Sequence, residues 1–214
     1  MTVRNYTTTD LFFLLADDAL TTLFGKPRPT DRKDPSQTVN EGRLSPAEKT
    51  KSARLMRVNH SGEICAQALY RSQALTARSG KLKNSMIQAA REENDHLLWC
   101  EARIKMLDGR KSLLNPILYI GSFVFGATAG LIGDRWNLGF LAETECQVEL
   151  HLKKHLNLLP ANDIRSRVIV QQMKEDEANH ATTAIHAGAE KLPDLVKSFM
   201  RVTSRLMTMT THWL

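Results

Sequence analysis

Cysteine is scarce in this chain. Cys65, Cys100 and Cys146 are an odd set that closes no disulfide framework, so a reducing compartment is the simpler expectation. No C-x-x-C pair occurs, which argues against a thiolate zinc site. Seven prolines and eleven glycines in 214 residues do not suggest a disordered chain. A Gly-rich nucleotide fingerprint is missing, and no secretory leader is expected: the apolar stretch 11–24 carries Asp17 and Asp18. Strand signals are weak, because "RVIV" at 167–170 sits inside a helical pattern. The formal charge of +6 leaves room for an anionic membrane or nucleic acid and establishes neither. Aromatic and basic residues do not interleave, so no nucleic-acid partner is expected.

What remains is helix, in a chain long enough for one domain with a sizeable core. Residues 11–24 read as a short amphipathic helix with Asp10 as N-cap, and 25–42 as a charged loop rich in turn formers. Residues 1–44 therefore form an N-terminal extension that either docks on the main domain or rests on a membrane. The main domain, 45–214, begins with a capping box, Ser45 with Glu48 three residues on and Pro46 in the first turn. Helices are expected from there to about Arg78, from about Lys81 to Leu107, from Pro116 to about Gly133, over 138–158, from a cap at Asn162 or Asp163 to about Glu190, and from Pro193 to about Met209. Gly80 is read as a stop and "DRWN" at 134–137 as a tight connection. The fold class is all-α, an antiparallel helix bundle.

Chemistry enters with "REENDHLLWC" at 91–100, where Glu93 and His96 are spaced to share a helix face. "EDEANHA" at 175–181 repeats the Glu-x-x-His spacing with Glu177 and His180. A lone glutamate precedes each pair, Glu63 by 30 residues and Glu145 by 32. Four carboxylates and two imidazoles from four helices match the donor set of a carboxylate-bridged pair of iron ions in a bundle core. Glu93 and Glu177 are the expected bridges, Glu63 and Glu145 the outer carboxylates. The competing reading leaves several of the four acids exposed in an ordinary bundle.

At these residues the chain resembles the Coq7 family of demethoxyubiquinone hydroxylases. The landmarks are "RVNHSGE" at 57–63, "EENDH" at 92–96, "ETECQVELHL" at 143–152 and "DEANH" at 176–180, and the resemblance covers about residues 45–211. Residues 1–44 resemble, more loosely, the bacterial form with an N-terminal extension. The resemblance implies a ferritin-like fold and two iron ions per chain at Glu63, Glu93, His96, Glu145, Glu177 and His180. It further implies hydroxylation of the ring of 2-polyprenyl-3-methyl-6-methoxy-1,4-benzoquinol by O₂, with reducing equivalents ultimately from NADH. Protein partners from ubiquinone biosynthesis fit the same picture.

Several nearby residues are candidates beside the ligands. The family has a histidine at the position of His151, which lies about 120° around the helix from Glu145. A role beside the cavity or substrate competes there with core packing. Tyr70 returns to nearly the face of Glu63, for substrate contact or proton relay against core packing. Asp176 is placed to orient a ligand imidazole. His60 reads as a local hydrogen-bond partner, His155 as exposed, and Cys65, Cys146, Trp99 and Cys100 as packing residues.

Residues 112–133 carry no formal charge. Their length permits a membrane span, but Glu145 must return to the bundle soon afterwards. An interfacial or partly inserted helix is the preferred reading, over a buried core helix. The last helix interleaves Leu195, Phe199 and Leu206 with Lys197, Arg201 and Arg205, which suits an anionic bilayer surface. The expectation is peripheral or partly inserted association with the cytoplasmic side of the cell inner membrane. Rival functions are a ferritin-like diiron hydroxylase of tRNA and a non-catalytic membrane-associated bundle.

Overall fold

The computed structural model describes residues 7–30 and 32–214, so residues 1–6 and 31 of the expected extension lie outside the described residues. Helix is the regular structure throughout: α1 (Thr8–Phe24), α2 (Pro46–Thr76), α3 (Gly80–Met106), α4 (Asn115–Ile132), α5 (Asp134–Leu158), α6 (Ile164–His186) and α7 (Asp194–Trp213).

Local chemistry sets the helix ends. Ser45 and Glu48 form the expected capping box. A second box opens α1, but its N-cap is Thr7, with Asp10 as the acidic partner three residues on. Gly80 does not end α2; that helix stops at Thr76, and Gly80 opens α3. "DRWN" is not a connection either. Gly133, at φ 152°, turns the chain between α4 and α5 in one residue. Asp134 then starts α5, and its carboxylate accepts the backbone N–H groups of Arg78 and Ser79, at 2.9 and 2.8 Å. Asp163 caps α6 by accepting from the Ser166 N–H at 3.0 Å.

Short connections make α2–α3 and α5–α6 two hairpins, and these pair into a four-helix bundle. One apolar cluster (Met56, Trp99, Cys100, Ile169 and Met173 among its members) fills the bundle towards one end. A second, around Met86, Leu138, Leu141 and Ala184, fills the other. The acidic and imidazole side chains sit between them.

Helix α4 crosses from one hairpin to the other and lies along α2. The approach is close because two glycines face it. A Cβ on Gly126 would stand 2.8 Å from the Leu69 carbonyl oxygen, and one on Gly130 1.9 Å from Thr76 Oγ1. Helix α1 rests on α2 and α4, through Ala19 and Leu23 against the cluster holding Tyr119. Helix α7 lies over α2 and α5. The loop between α1 and α2 runs across α3 and α6, where Arg165 donates to the Val39 carbonyl. Fully buried Arg103 joins this loop to the bundle, donating to Glu41, Asp163 and Ser166.

Candidate metal centre

The repeat places its four acids and two histidines together. Glu63 comes from α2, Glu93 and His96 from α3, Glu145 from α5, Glu177 and His180 from α6. Their ligating atoms form two clusters, Glu63–Glu93–His96–Glu177 and Glu145–Glu177–His180, each within 4.8 Å. The four glutamates and His96 are buried, and His180 is partly so. Helical spacing explains the pairing, since residues three apart stack on one face.

Glu93 and Glu177 each present one oxygen to each histidine. Glu93 lies 2.9 Å from His96 Nδ1 through Oε2 and 3.1 Å from His180 Nδ1 through Oε1. Glu177 lies 3.5 Å from His96 Nδ1 through Oε1 and 3.4 Å from His180 Nδ1 through Oε2. Both carboxylates thus lie between the two imidazoles, one oxygen towards each. Glu63 flanks the His96 side, with Oε2 3.8 Å from Nδ1. Glu145 flanks the His180 side.

The far nitrogens of the imidazoles show a crossed pairing. His96 Nε2, on α3, lies 2.8 Å from Asp176 on α6. His180 Nε2, on α6, lies 3.0 Å from Glu92 on α3. Each acid immediately precedes the Glu-x-x-His glutamate of its own helix. Such partners fix the ring and leave Nδ1 aimed inward. The role expected of Asp176 is thus met by geometry, while Glu92 was missed. Its signal was the longer repeat, acid-Glu-x-x-His, present in both "EENDH" and "DEANH".

Electrostatics distinguishes the acids. Burial pushes Glu63 and Glu145 well above the usual carboxylate range. Burial acts on Glu93 and Glu177 too, but the two histidines outweigh it and hold both below that range. The carboxylates in turn raise His96, and raise His180 to about 12, against the effect of burial. The donor set fits a metal pair on a further observation: Glu63 Oε2, Glu93 Oε1, Glu177 Oε2 and His180 Nδ1 are buried and close no well-aligned hydrogen bond, the last three meeting only as ion pairs at 3.1 and 3.4 Å. Buried polar atoms are seldom left unpaired, and carboxylates with imidazole suit iron.

Other expected residues fall at varying distances from this centre. Tyr70 is buried and donates its hydroxyl to Glu145 Oε1 at 2.8 Å. His151 is not among the clustered groups; its ring lies 3.9 Å, centroid to centroid, from that of His155 further along α5. His155 is buried rather than exposed, beside the His151 ring and within electrostatic reach of His212 on α7. His60 is buried 3.5 Å from Asn115, not against Glu63. Trp99 and Cys100 pack in the core, whereas Cys65 lines a groove.

Two cavities flank the centre. An apolar groove of about 400 Å³ between α2, α4, α5 and α7 is lined by Phe125, Phe140, Phe199 and Met200 among others. Its α2 and α5 walls include Gly62, Ala66, Thr144 and Val148, the near neighbours of Glu63 and Glu145. A more polar cavity of about 710 Å³ opens at the other side, with Tyr70, Glu92 and His180 in its wall.

Known proteins resemble the chain at both levels. The family model described as ubiquinone biosynthesis protein COQ7 matches residues 50–211. A Nitrosococcus oceani protein named 3-demethoxyubiquinol 3-hydroxylase is 50% identical over 211 residues, covering 99% of each chain. Proteins of the same name from Nitrosospira multiformis and Acinetobacter baumannii are 57% identical over 197 residues and 51% identical over 212. They match 92% and 99% of this chain, and 94% and 100% of their own lengths. Among solved structures, the bacterioferritin-related protein of Bacteroides fragilis, a dodecameric thioferritin, aligns with a TM-score of 0.54 at 16% identity. It covers 73% of this chain and 90% of its own, which establishes a ferritin-like fold. With the family model spanning its whole bundle and relatives at half identity over nearly all its length, the chain belongs to the COQ7 family of ubiquinone-biosynthesis hydroxylases.

Proposed function

We propose that this chain hydroxylates the ring of demethoxyubiquinol, 2-polyprenyl-3-methyl-6-methoxy-1,4-benzoquinol, with O₂ as oxidant and reducing equivalents drawn ultimately from NADH. The observation that carries the reading is the pair of buried clusters joined by Glu177. Glu93 and Glu177 would bridge two iron ions, Glu63 and His96 would complete one position, and Glu145 and His180 the other. When bound, such a pair would supply the activation of O₂, one oxygen atom entering the electron-rich ring and the other leaving as water with the two electrons drawn from NADH.

The protein supplies the setting. Asp176 and Glu92 orient the two imidazoles. Tyr70 holds Glu145 by its Oε1 atom. The apolar groove seats the polyprenyl chain beside the ligand-bearing turns of α2 and α5 and keeps water from that side. Without a nucleotide fingerprint, electrons arrive from a reductase or across another surface.

A substrate with a long hydrocarbon tail is met in lipid, and the surface suits this. Helix α4 is long and apolar enough to cross a membrane by length and composition, yet it lies along α2. Its outer face exposes Ile117, Ile120 and Val124. On α7, Leu195, Phe199, Val202, Leu206, Met209 and Trp213 form an exposed stripe at helical spacing. Phe12 and Phe13 of α1 are exposed as well. Phe125 of α4 meets Phe199 of α7 edge to face, 5.8 Å between centroids, so these two surfaces adjoin. The chain docks by this side on the cytoplasmic face of the cell inner membrane, where other proteins of ubiquinone biosynthesis are its neighbours. The test is turnover of demethoxyubiquinol in proteoliposomes by iron-loaded protein, with ¹⁸O₂. One labelled oxygen in the ring is expected; an unlabelled or unchanged quinol contradicts the reading.

A further inference from the structure

The loop 25–44 has no regular structure, and a loop of such length is usually mobile or functional. Here it is fastened to the two helices that carry the Glu-x-x-His pairs. Asn94 donates to the Arg28 carbonyl at 3.0 Å, and the Thr30 N–H donates to Asp95 at 2.8 Å. Both anchors immediately precede His96. Arg32 then donates to Asp176 Oδ2 at 2.6 Å, the same oxygen that lies 2.8 Å from His96 Nε2. The Arg32 guanidinium sits 5.2 Å from the Trp99 ring centroid, and that ring is 5.4 Å from His96.

We infer that this strap is part of the metal centre: Arg32, acting through Asp176, positions His96 and makes its half of the centre the more retentive one. The inference rests on the metal reading above. Arg32 lies outside residues 50–211, so the strap is an addition to the matched bundle. The two halves differ in support. Asp176 is held by Arg32 and by Gln172, whose Nε2 donates to Oδ1 at 3.1 Å. Glu92, the partner of His180, receives Gln88 at 3.0 Å, and no arginine pairs with it among the described residues. Glu92 and His180 also line the polar cavity, which gives that half a wet exit. A carboxylate that orients a ligand histidine affects metal affinity, and a charge-assisted bond from Arg32 to the oxygen that faces the ring, with Gln172 on the other, fixes how that carboxylate is turned.

Release of Fe(II) to a hydrophilic chelator under anaerobic conditions tests this. The cobalt(II) d–d spectrum serves as a second readout of ligand geometry. Wild type should lose its metal in two phases. Arg32→Met should speed the slow phase, on the order of tenfold, and shift the cobalt bands. Arg32→Lys, which keeps the charge without the planar guanidinium, should fall between. Arg165→Met breaks a different strap anchor, the bond to Val39, and should leave both readouts at wild-type values. A slow phase and spectrum unchanged by Arg32→Met, or an equal effect from Arg165→Met, overturns the positioning role alone. A wild type that binds no metal overturns the metal reading with it.

Discussion

Tyr70 of α2 donates its hydroxyl proton to Oε1 of Glu145 on α5, across 2.8 Å in a buried setting. The contact ties the two hairpins at the layer of buried acids and fixes one oxygen of Glu145. Tyr70→Phe removes the donor while keeping the ring's volume. Metal affinity should drop by about tenfold, the range for a lost outer-shell partner, with helix content unchanged. Metal titration with circular dichroism on the same samples checks it; wild-type affinity removes Tyr70 from the support of the site.

Charge balance at the centre predicts proton release. In the metal-free chain His96 and His180 are held protonated by Glu93 and Glu177, and burial raises Glu63 and Glu145. Two dications displace protons from the two histidines and from as many of the two raised acids as still carry one. Between two and four protons per chain should therefore leave on loading near neutral pH, and metal affinity should rise with pH. Calorimetry in buffers of different ionisation enthalpy counts them. No release would mean that the histidines are neutral before metal arrives.

Acid sensitivity is expected away from the centre. Burial lowers His60, His151 and His155 from 6.5 to about 3, about 4 and about 2, helped respectively by Lys111, by Lys154, and by His151 and His212. The unfolded chain binds protons at these positions that the folded chain refuses. Their stabilising effect is therefore complete above pH 6.5 and is lost as the pH falls towards the folded values. The raised Glu63, Glu145, His96 and His180 act in the opposite sense in the metal-free protein, so the histidine effect is read as the difference in urea midpoint between wild type and a His155 variant from about pH 7 to about pH 5. His155→Phe should lower the rise of stability with pH, relative to wild type, by up to one proton, about 1.4 kcal/mol per pH unit. An unaltered slope contradicts a buried neutral His155.

Membrane docking is tested by the α7 stripe. Leu195 is 83% exposed and Val202 63%, so charges there should not disturb the core. Leu195→Glu with Val202→Glu should cut flotation with anionic liposomes severalfold while iron content stays at the wild-type level. Undiminished flotation would move the docking surface elsewhere.

Much of this was legible from spacing. Helical period and capping pairs foretold the bundle, and the doubled Glu-x-x-His with a preceding glutamate marked all six residues the fold brings together. What sequence concealed depends on contacts between distant segments. Local turn chemistry suggested a connection at 134–137, yet Asp134 finds its partners on the backbone of Arg78 and Ser79, and Gly133 makes the turn alone. His155 has a polar side chain on an ordinary helix, and its burial depends on packing that no local pattern reports. His151 shares a helix with Glu145 but sits further along, against His155. Arg32 stands 144 residues from Asp176, beyond the reach of any local pattern.

The measurement that bears most directly on the account is anaerobic iron stoichiometry in the folded chain beside its Glu177→Ala variant. Glu177 belongs to both clusters, so its loss damages both positions. About two irons in wild type, a clear loss in the variant and no hydroxylation of demethoxyubiquinol by the variant are the predicted results. Negligible iron in both proteins after careful loading, or full turnover by a metal-free Glu177→Ala protein, would contradict it.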